Sequence, residues 1–565
     1  MGKKNYPYYK VEPFRDFKDM ISQRVKAHPD HTAFMFTENK QDISVSYKEF
    51  QEQINSLGTA IAGLGVHGKK IAMVSENSYY WILVYLTVLG SDNVYIPVDK
   101  ELPQADLLNV LNHSDTQIIF CSSAFAAKLC ECRSQLPNVD HIFCFNTKGE
   151  LPQGIEDAKE FMAKGKAMLE GGDVSYTSQE PEDMELGEIV YTSGTTGAPK
   201  GVMLSRHNLV SSVYYGMMVS KVYTKCLAVL PFNHTYEGVC DLLVSLHNGN
   251  TICINENLRT VQPNLEKYKP DYIMLVPLFV ETFYKKIMKN IEKQGKTKTV
   301  NTAIKLSNFL RKIGIDKRRS LFKEIHAAFG GNLIKIVCGG APNKPEIAAF
   351  FDAIGIDLIN GYGITECSPL VCANRDYYNV PRSVGPKLPC IDIEIRDPNE
   401  EGEGEIFVKG DIVMMGYYKD PVQTAEVLSE DGWFATGDYG KMVGDLLYIT
   451  GRKKYLIVLT NGKNVYPEEI EEYIQRIAGV EEVVVYALKN QEGDETGLCA
   501  EIYPEAAFAE GKTNEEMEAY FEKCADEALA PLPAYKHLKS VVIRGEEFPK
   551  TTSRKIKRAG IGTYK

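Results

Sequence analysis

Apolar positions along this chain recur in two rhythms. Residues 48–64 repeat them at helical spacing, and residues 79–89 are apolar almost throughout, as in a buried helix. Residues 70–75, 93–97, 116–121 and 140–145 are short apolar runs bounded by turn residues, which predicts buried strands. Further strands are expected at 226–230, 271–276, 333–338 and 356–359. Strands alternating with helices predict an α/β fold of layered, mainly parallel sheets. Ligands in such sheets sit beyond the carboxyl ends of the strands.

From about residue 391 the rhythm changes. Residues 391–396, 404–408, 414–418 and 446–450 read as short strands between Gly, Pro and acidic turns, a small β subdomain over 390–451. A polar junction at Arg452–Lys454 follows. Beyond it lie a predicted helix at 467–477, strands at 482–487 and 498–503, a helix at 514–530 and a strand at 540–544. That is enough for a separate small α+β domain over 455–565. The N-terminal domain then spans 1–451.

Composition narrows the function. The 565 residues are 44% apolar and 25% charged, an ordinary globular mixture, and the net charge of −11 disfavours a nucleic-acid binder. Thirteen cysteines show no C-x-x-C, and Cys130-Glu-Cys132 lacks zinc spacing, so buried thiols in a reducing compartment are expected. The N-terminus has no apolar signal core, and the apolar run 79–89 is too short to span a bilayer. A soluble, cytoplasmic protein is the expectation. Residues 285–323 carry thirteen Lys or Arg against only Glu292 and Asp316. Two readings of that stretch stand: a solvated helix pair, or an electrostatic dock that brings the protein peripherally to an anionic inner membrane surface.

The strongest chemical signal is Tyr191-Thr-Ser-Gly-Thr-Thr-Gly-Ala-Pro-Lys200-Gly-Val. It leaves the apolar run Glu188-Ile-Val-Tyr191. A hydroxyl- and glycine-rich loop after a strand can turn several N–H and O–H groups toward one anion, and Lys200 adds a charge. A polyphosphate is the expected guest. The spacing Gly194-x-x-Gly197-x-x-Lys200 is not a Walker A loop, which disfavours a P-loop ATPase or kinase. Three more segments fall at predicted strand ends: Pro231-Phe-Asn-His234, Gly339-Gly-Ala-Pro342 and Asn360-Gly-Tyr-Gly363.

With Leu230-Pro-Phe-Asn-His234, Asn360-Gly-Tyr-Gly-Ile-Thr-Glu366, Gly432-Trp-Phe-Ala-Thr-Gly-Asp438, Gly451-Arg-Lys-Lys454 and Asn461-Gly-Lys-Asn-Val-Tyr-Pro-Glu-Glu-Ile470 in the same order, the chain resembles the AMP-forming acyl-CoA synthetases. These belong to the adenylate-forming superfamily that includes luciferases and nonribosomal-peptide adenylation domains. Val276-Pro-Leu-Phe279 and the helical stretch to about Phe329 resemble the long-chain fatty-acid members.

The resemblance implies a two-step reaction. A carboxylate attacks the α-phosphate of ATP and releases pyrophosphate, then a thiol takes the acyl group and AMP leaves. It implies that Thr192, Ser193, Gly194, Thr195, Thr196 and Lys200 hold phosphate and that Glu366, beside Thr365, holds Mg²⁺. Tyr362 would stack on adenine opposite Gly339, Gly340, Ala341 and Pro342, with Asn360, Gly361 and Gly363 forming the turn beneath. A core tyrosine reads as well for Tyr362 without that context. Asp438 and Arg452 would contact ribose or phosphate. His234 would stand at the mouth of the acyl pocket, near the reacting carboxylate, as a catalytic residue with Thr192 and Glu366, and Tyr236 and Gly238 would line the pocket; no aspartate stands among Phe232–Thr235 to pair an amino-acid ammonium, so a plain acid is expected. Lys555 would be the catalytic lysine, although Arg554 stands where the family usually has Gly. Lys454 would be the hinge of a mobile C-terminal domain. Gly462 and Lys463 would meet CoA. A separate acyl carrier protein is the alternative thiol donor.

Overall fold

The computed structural model describes residues 6–562 apart from 66, 148, 193–198, 341–343, 461–463, 491–494, 551–555 and 559. The chain divides into two compact units. The first comprises 1–393 and 408–434; the second comprises 394–407 and 435–565.

The first unit holds two eight-stranded sheets. In one, Asp357–Gly363, Lys335–Cys338, Tyr272–Leu275, Lys225–Ala228, Thr251–Ile254 and Thr32–Glu38 run parallel, and Leu370–Ala373 and Gln41–Ser46 close the edges antiparallel. In the other, Leu186–Thr192, Val94–Val98, Lys70–Val74, Thr116–Ser122, His141–Phe145 and Glu156–Asp157 run parallel. Lys200–Ser205 and Gly416–Tyr417 extend this sheet antiparallel. Strands buried on both faces explain the continuous apolar runs in the sequence. All eleven residues of helix Tyr79–Leu89 are buried, and Ser78 caps it by accepting from the Trp81 N–H. Capping boxes at Ser46 and Ser205 fix the starts of helices Tyr47–Ala62 and Arg206–Val219.

One strand departs from expectation. Residues 414–418, read as part of the β subdomain, instead contribute Gly416–Tyr417 to the second large sheet, opposite Val202 and Met203. The four-stranded sheet is built from Ile391–Arg396, Gly404–Gly410, Phe434–Val443 and Leu446–Arg452. A two-residue strand takes its partner from backbone register, which its own side chains do not encode.

In the second unit, Val480–Lys489, Glu495–Pro504 and Leu538–Ile543 form a three-stranded sheet. Helices Pro467–Ile474 and Asn514–Leu529 bury Ile470, Ile474, Met517, Phe521 and Leu529 in the core this sheet shares.

Candidate active site

In the first unit, Thr192 lies opposite Lys200 in the antiparallel pair that brackets the phosphate-loop segment. Ser193, Gly194, Thr195 and Thr196 lie outside the described residues. The neighbouring strand brings Tyr417 beside this pair, and the Tyr418 N–H donates to the Gly201 carbonyl at 2.7 Å. The Tyr417 ring sits 5.2 Å from Lys200 Nζ, within cation–π range. Its hydroxyl donates to Glu366 Oε1 at 3.0 Å. Burial and the nearby carboxylate push the Tyr417 hydroxyl pKa upward, so it stays a donor. The Met414 N–H donates to the Glu366 carbonyl at 2.9 Å. Glu366 is therefore held through both backbone and side chain. Sequence reasoning missed Tyr417, because its partners are distant along the chain.

A second ring of contacts braces the same strands. His113 Nδ1 and the Tyr191 hydroxyl are 2.8 Å apart. Tyr418 donates to Asp115 at 2.8 Å, and Lys419 bridges Asp115 and the His113 carbonyl. In strand Leu186–Thr192, Glu188 is buried and accepts from the Tyr85 hydroxyl at 3.2 Å. Burial pushes its carboxyl up to about 8, so it is a neutral acid at pH 7.

The other large sheet presents the remaining first-unit residues. Leu275 pairs with Cys338 and Cys338 with Asn360, so Val276, Gly339 and Gly361 leave the register together. Asn77, which follows strand Lys70–Val74 of the opposite sheet, clamps the segment after Lys225–Ala228. Its amide donates to the Leu230 carbonyl at 2.7 Å and accepts from the Phe232 N–H at 3.1 Å. His234 is exposed, and its Nδ1 accepts from the Tyr236 N–H at 3.4 Å. When neutral, the ring then carries its proton on Nε2. The Tyr236 hydroxyl reaches the carbonyls of Val337 and Leu275 at 3.2 and 3.4 Å. A Cβ at Gly339 would come within 3.1 Å of the Tyr236 ring, so glycine permits this packing. Gly340 has φ +87°, and Ala341 and Pro342 lie outside the described residues.

Gly238 opens a π-helical turn, Gly238–Leu243, which is buried throughout. Such turns concentrate at functional sites. Two buried carboxylates unforeseen in the sequence stand here, Glu237 just before the turn and Asp241 within it. Glu237 accepts from the Leu230 N–H at 3.2 Å, and Asp241 accepts from the Tyr272 hydroxyl at 2.6 Å. Burial raises both, Asp241 to about 6. The Asn360 amide donates to the Pro381 carbonyl at 2.9 Å. Tyr362 is buried opposite Cys372, while Gly363 ends the strand exposed. Thr365 and Glu366 follow in a single 3-10 turn.

In the second unit, Asp438 and Arg452 are cross-strand partners, and Arg452 Nε meets Asp438 Oδ1 at 2.9 Å. The aspartate side chain is 4% exposed and the arginine 44%. Thr436 orders the turn by donating to the Ile406 carbonyl at 2.8 Å and accepting from the Asp438 N–H at 3.1 Å. Lys454 is exposed in a 3-10 turn, 4.8 Å from the Tyr455 ring centroid. Gly462, Lys463 and Lys555 lie outside the described residues. The flanks of Lys555 are anchored: Lys550 and Ile556 form an antiparallel bridge, and the Lys557 N–H donates to the Pro549 carbonyl at 2.7 Å. Arg558 then pairs with the partly buried Glu471 and lies 4.7 Å from the Tyr455 ring.

Among the described residues, no group of three or more His, Cys, Asp or Glu could hold a metal. A single carboxylate such as Glu366 fits the way Mg²⁺ is commonly held, by one or two carboxylates with substrate phosphates and water.

Residues 21–418 match the model of the AMP-binding enzyme family. A chloroplast long-chain-fatty-acid–[acyl-carrier-protein] ligase of Arabidopsis thaliana is 28% identical over 539 residues, covering 83% of this chain and 74% of the relative. Human long-chain-fatty-acid–CoA ligase 1 is 28% identical over 469 residues, covering 78% and 67%. A crystal structure of an anthranilate CoA ligase with anthranoyl-AMP shares the fold at a TM-score of 0.76 and 17% identity, covering 97% and 96%. The match spans both large sheets of the first unit: this chain belongs to the AMP-binding enzymes, and its chemistry is the adenylate-forming activation of an acyl group.

Proposed function

We propose that the protein converts a medium- or long-chain fatty acid, ATP and CoA into acyl-CoA, AMP and pyrophosphate. The observation that carries this reading is the tie of Lys200 and Glu366 through Tyr417. It sets a cation and a carboxylate at the mouth of a hydroxyl-rich loop, as a magnesium–nucleotide guest requires. Relatives named for long-chain fatty acids, and the lack of an aspartate at 232–235, support a plain fatty acid.

In the first half-reaction a carboxylate oxygen attacks the α-phosphorus, and the bond to the bridging oxygen breaks with loss of pyrophosphate. Thr192 to Thr196 and Lys200 hold the phosphates, Asp438 and Arg452 hold the ribose, and Tyr362 lies against adenine. Lys555 neutralises charge between carboxylate and α-phosphate. Mg²⁺ held by Glu366 would supply further charge neutralisation. In the second half-reaction the thiol sulfur attacks the acyl carbonyl, its proton is lost, and the bond to AMP breaks. His234, Tyr236 and Gly238 border the acyl chain; Gly462 and Lys463 meet the CoA arm. Lys454 is the hinge residue that lets one protein run both steps.

Thirteen cysteines without a disulfide support a reducing, cytoplasmic setting. The basic stretch 285–323 gives the protein a route to membrane-held fatty acid. A carrier protein in place of CoA is the second reading, favoured by the Arabidopsis relative. Supplying free CoA or a holo-carrier to the enzyme, with fatty acid and ATP, separates the two by which thioester forms. Absence of both thioesters overturns the ligase reading.

A further inference from the structure

Helix Thr297–Lys312 has two unlike faces. Val300, Ala303 and Ile304 pack on the core, and the buried Ser307 hydroxyl donates to the Ala353 carbonyl at 3.3 Å. The opposite face is open. Leu306 is 46% exposed, Phe309 60% and Ile313 58%. These positions fall three and four residues apart, so they form one stripe. Lys298, Lys305 and Lys312 are also exposed, and their seven-residue spacing sets them in a line beside that stripe. An open depression lined by Lys298, Thr299, Thr302, Ala303 and Leu306 runs along the same helix.

Apolar and basic residues sharing one exposed face have a specific physical use. At an anionic bilayer the rings and branched chains enter the headgroup boundary, while lysine stems lie along it with their ammonium groups on lipid phosphates. The charge distribution fits the same occupant. Residues 285–323 carry a formal +11 in a chain of net −11, so the rest carries −22 and is repelled by that surface. The stretch 285–323 is thus a strongly basic segment in an otherwise net-acidic chain, and an anionic surface attracts it. The preceding helix, Pro277–Lys293, starts directly after strand Tyr272–Leu275, whose end pairs with Cys338 beside Gly339. Its seventeen residues span about 25 Å. No helix among the described residues is long and apolar enough to cross a membrane, so contact through this face is superficial.

We propose that the exposed face of helix Thr297–Lys312, with Leu306, Phe309 and Ile313 flanked by Lys298, Lys305 and Lys312, is a docking surface for an anionic lipid bilayer. It deepens the reading of the protein as a fatty-acid activator, since it would deliver the enzyme to where long acyl chains partition. The surface itself can be tested without turnover.

The full chain is sedimented with vesicles of phosphatidylglycerol and phosphatidylcholine in equal parts, and with phosphatidylcholine alone, at about 50 mM and about 500 mM salt. Binding is expected only to the anionic vesicles, and mainly at low salt. Lys298→Glu/Lys305→Glu/Lys312→Glu should weaken it at least about 100-fold. Phe309→Ser/Ile313→Ser should weaken it roughly tenfold with the charges intact. Both variants should release pyrophosphate from ATP, with octanoate as the acid, as the unmodified protein does when no vesicles are present; lack of that activity in the unmodified protein sinks the ligase reading alone. Failure of the unmodified protein to bind at low salt, or equal binding by the triple variant, overturns the docking surface. So does a dimer in sedimentation velocity that Phe309→Ser/Ile313→Ser dissolves, because the face would then belong to a second copy.

Discussion

The Tyr417 hydroxyl donates to Glu366 Oε1 at 3.0 Å while the face of the same ring lies 5.2 Å from the Lys200 ammonium. One side chain thus touches both the cation and the carboxylate. Tyr417→Phe keeps the ring and removes the hydrogen bond. A hydrogen bond to a charged group contributes about 1.5–3 kcal/mol, so pyrophosphate release should fall roughly 10- to 100-fold. The half-saturating magnesium concentration should rise with it. A magnesium titration of the first half-reaction checks this; an unchanged curve would show that Tyr417 does not set Glu366.

Glu188 makes stability depend on pH. Its folded pKa, about 8, lies above the unfolded value of 4.5. Between those values the folded chain holds a proton that the unfolded chain has lost, so stability falls as pH rises from about 4.5 to about 8. Glu188→Gln removes the titration and keeps the shape. Relative to the unmodified protein, the variant should gain roughly 2–3 kcal/mol between pH 6 and pH 8.5. Denaturant unfolding at the two pH values reads the difference, and parallel behaviour of the two proteins would mean Glu188 is ionised in the fold.

Much of the architecture is legible from apolar periodicity. Strands such as His141–Phe145 and helices such as Tyr79–Leu89 are buried on all sides, so their apolar runs stand out. The hairpin Thr32–Glu38 and Gln41–Ser46 is not legible, because as a half-exposed sheet edge it mixes burial and polarity. The motifs behind the site expectations are local in the chain, as around Lys200, Glu366 and Asp438. What joins them is not. Tyr417 reaches Glu366, and Asn77 reaches Leu230 and Phe232, through sheet register across long stretches of chain. Nor does the sequence distinguish Glu188 from a surface carboxylate; only the closed environment around Tyr85 makes it a neutral acid.

Lys557 stands two residues beyond Lys555, the lysine that the resemblance makes catalytic. The Lys557 N–H is held by its bond to the Pro549 carbonyl. Lys555→Ala should lower acyl-adenylate formation at least about 100-fold, while thioester formation from supplied acyl-AMP stays within about threefold. Lys557→Ala should leave both steps near normal. The reverse pattern would move the catalytic role to Lys557.

The exposed 3-10 turn at Lys454 is where the proposed reorientation requires backbone freedom. Lys454→Pro fixes φ there. Adenylate formation should persist, and transfer of the acyl group to thiol should drop at least about 100-fold. Equal loss in both half-reactions would remove the hinge assignment.

Isotope exchange between pyrophosphate and ATP, measured with and without added fatty acid, tests the central claim most directly. Exchange is expected to require the acid and magnesium and to proceed without any thiol. Exchange that ignores the acid, or no exchange with any acid from C2 to about C20, would contradict it.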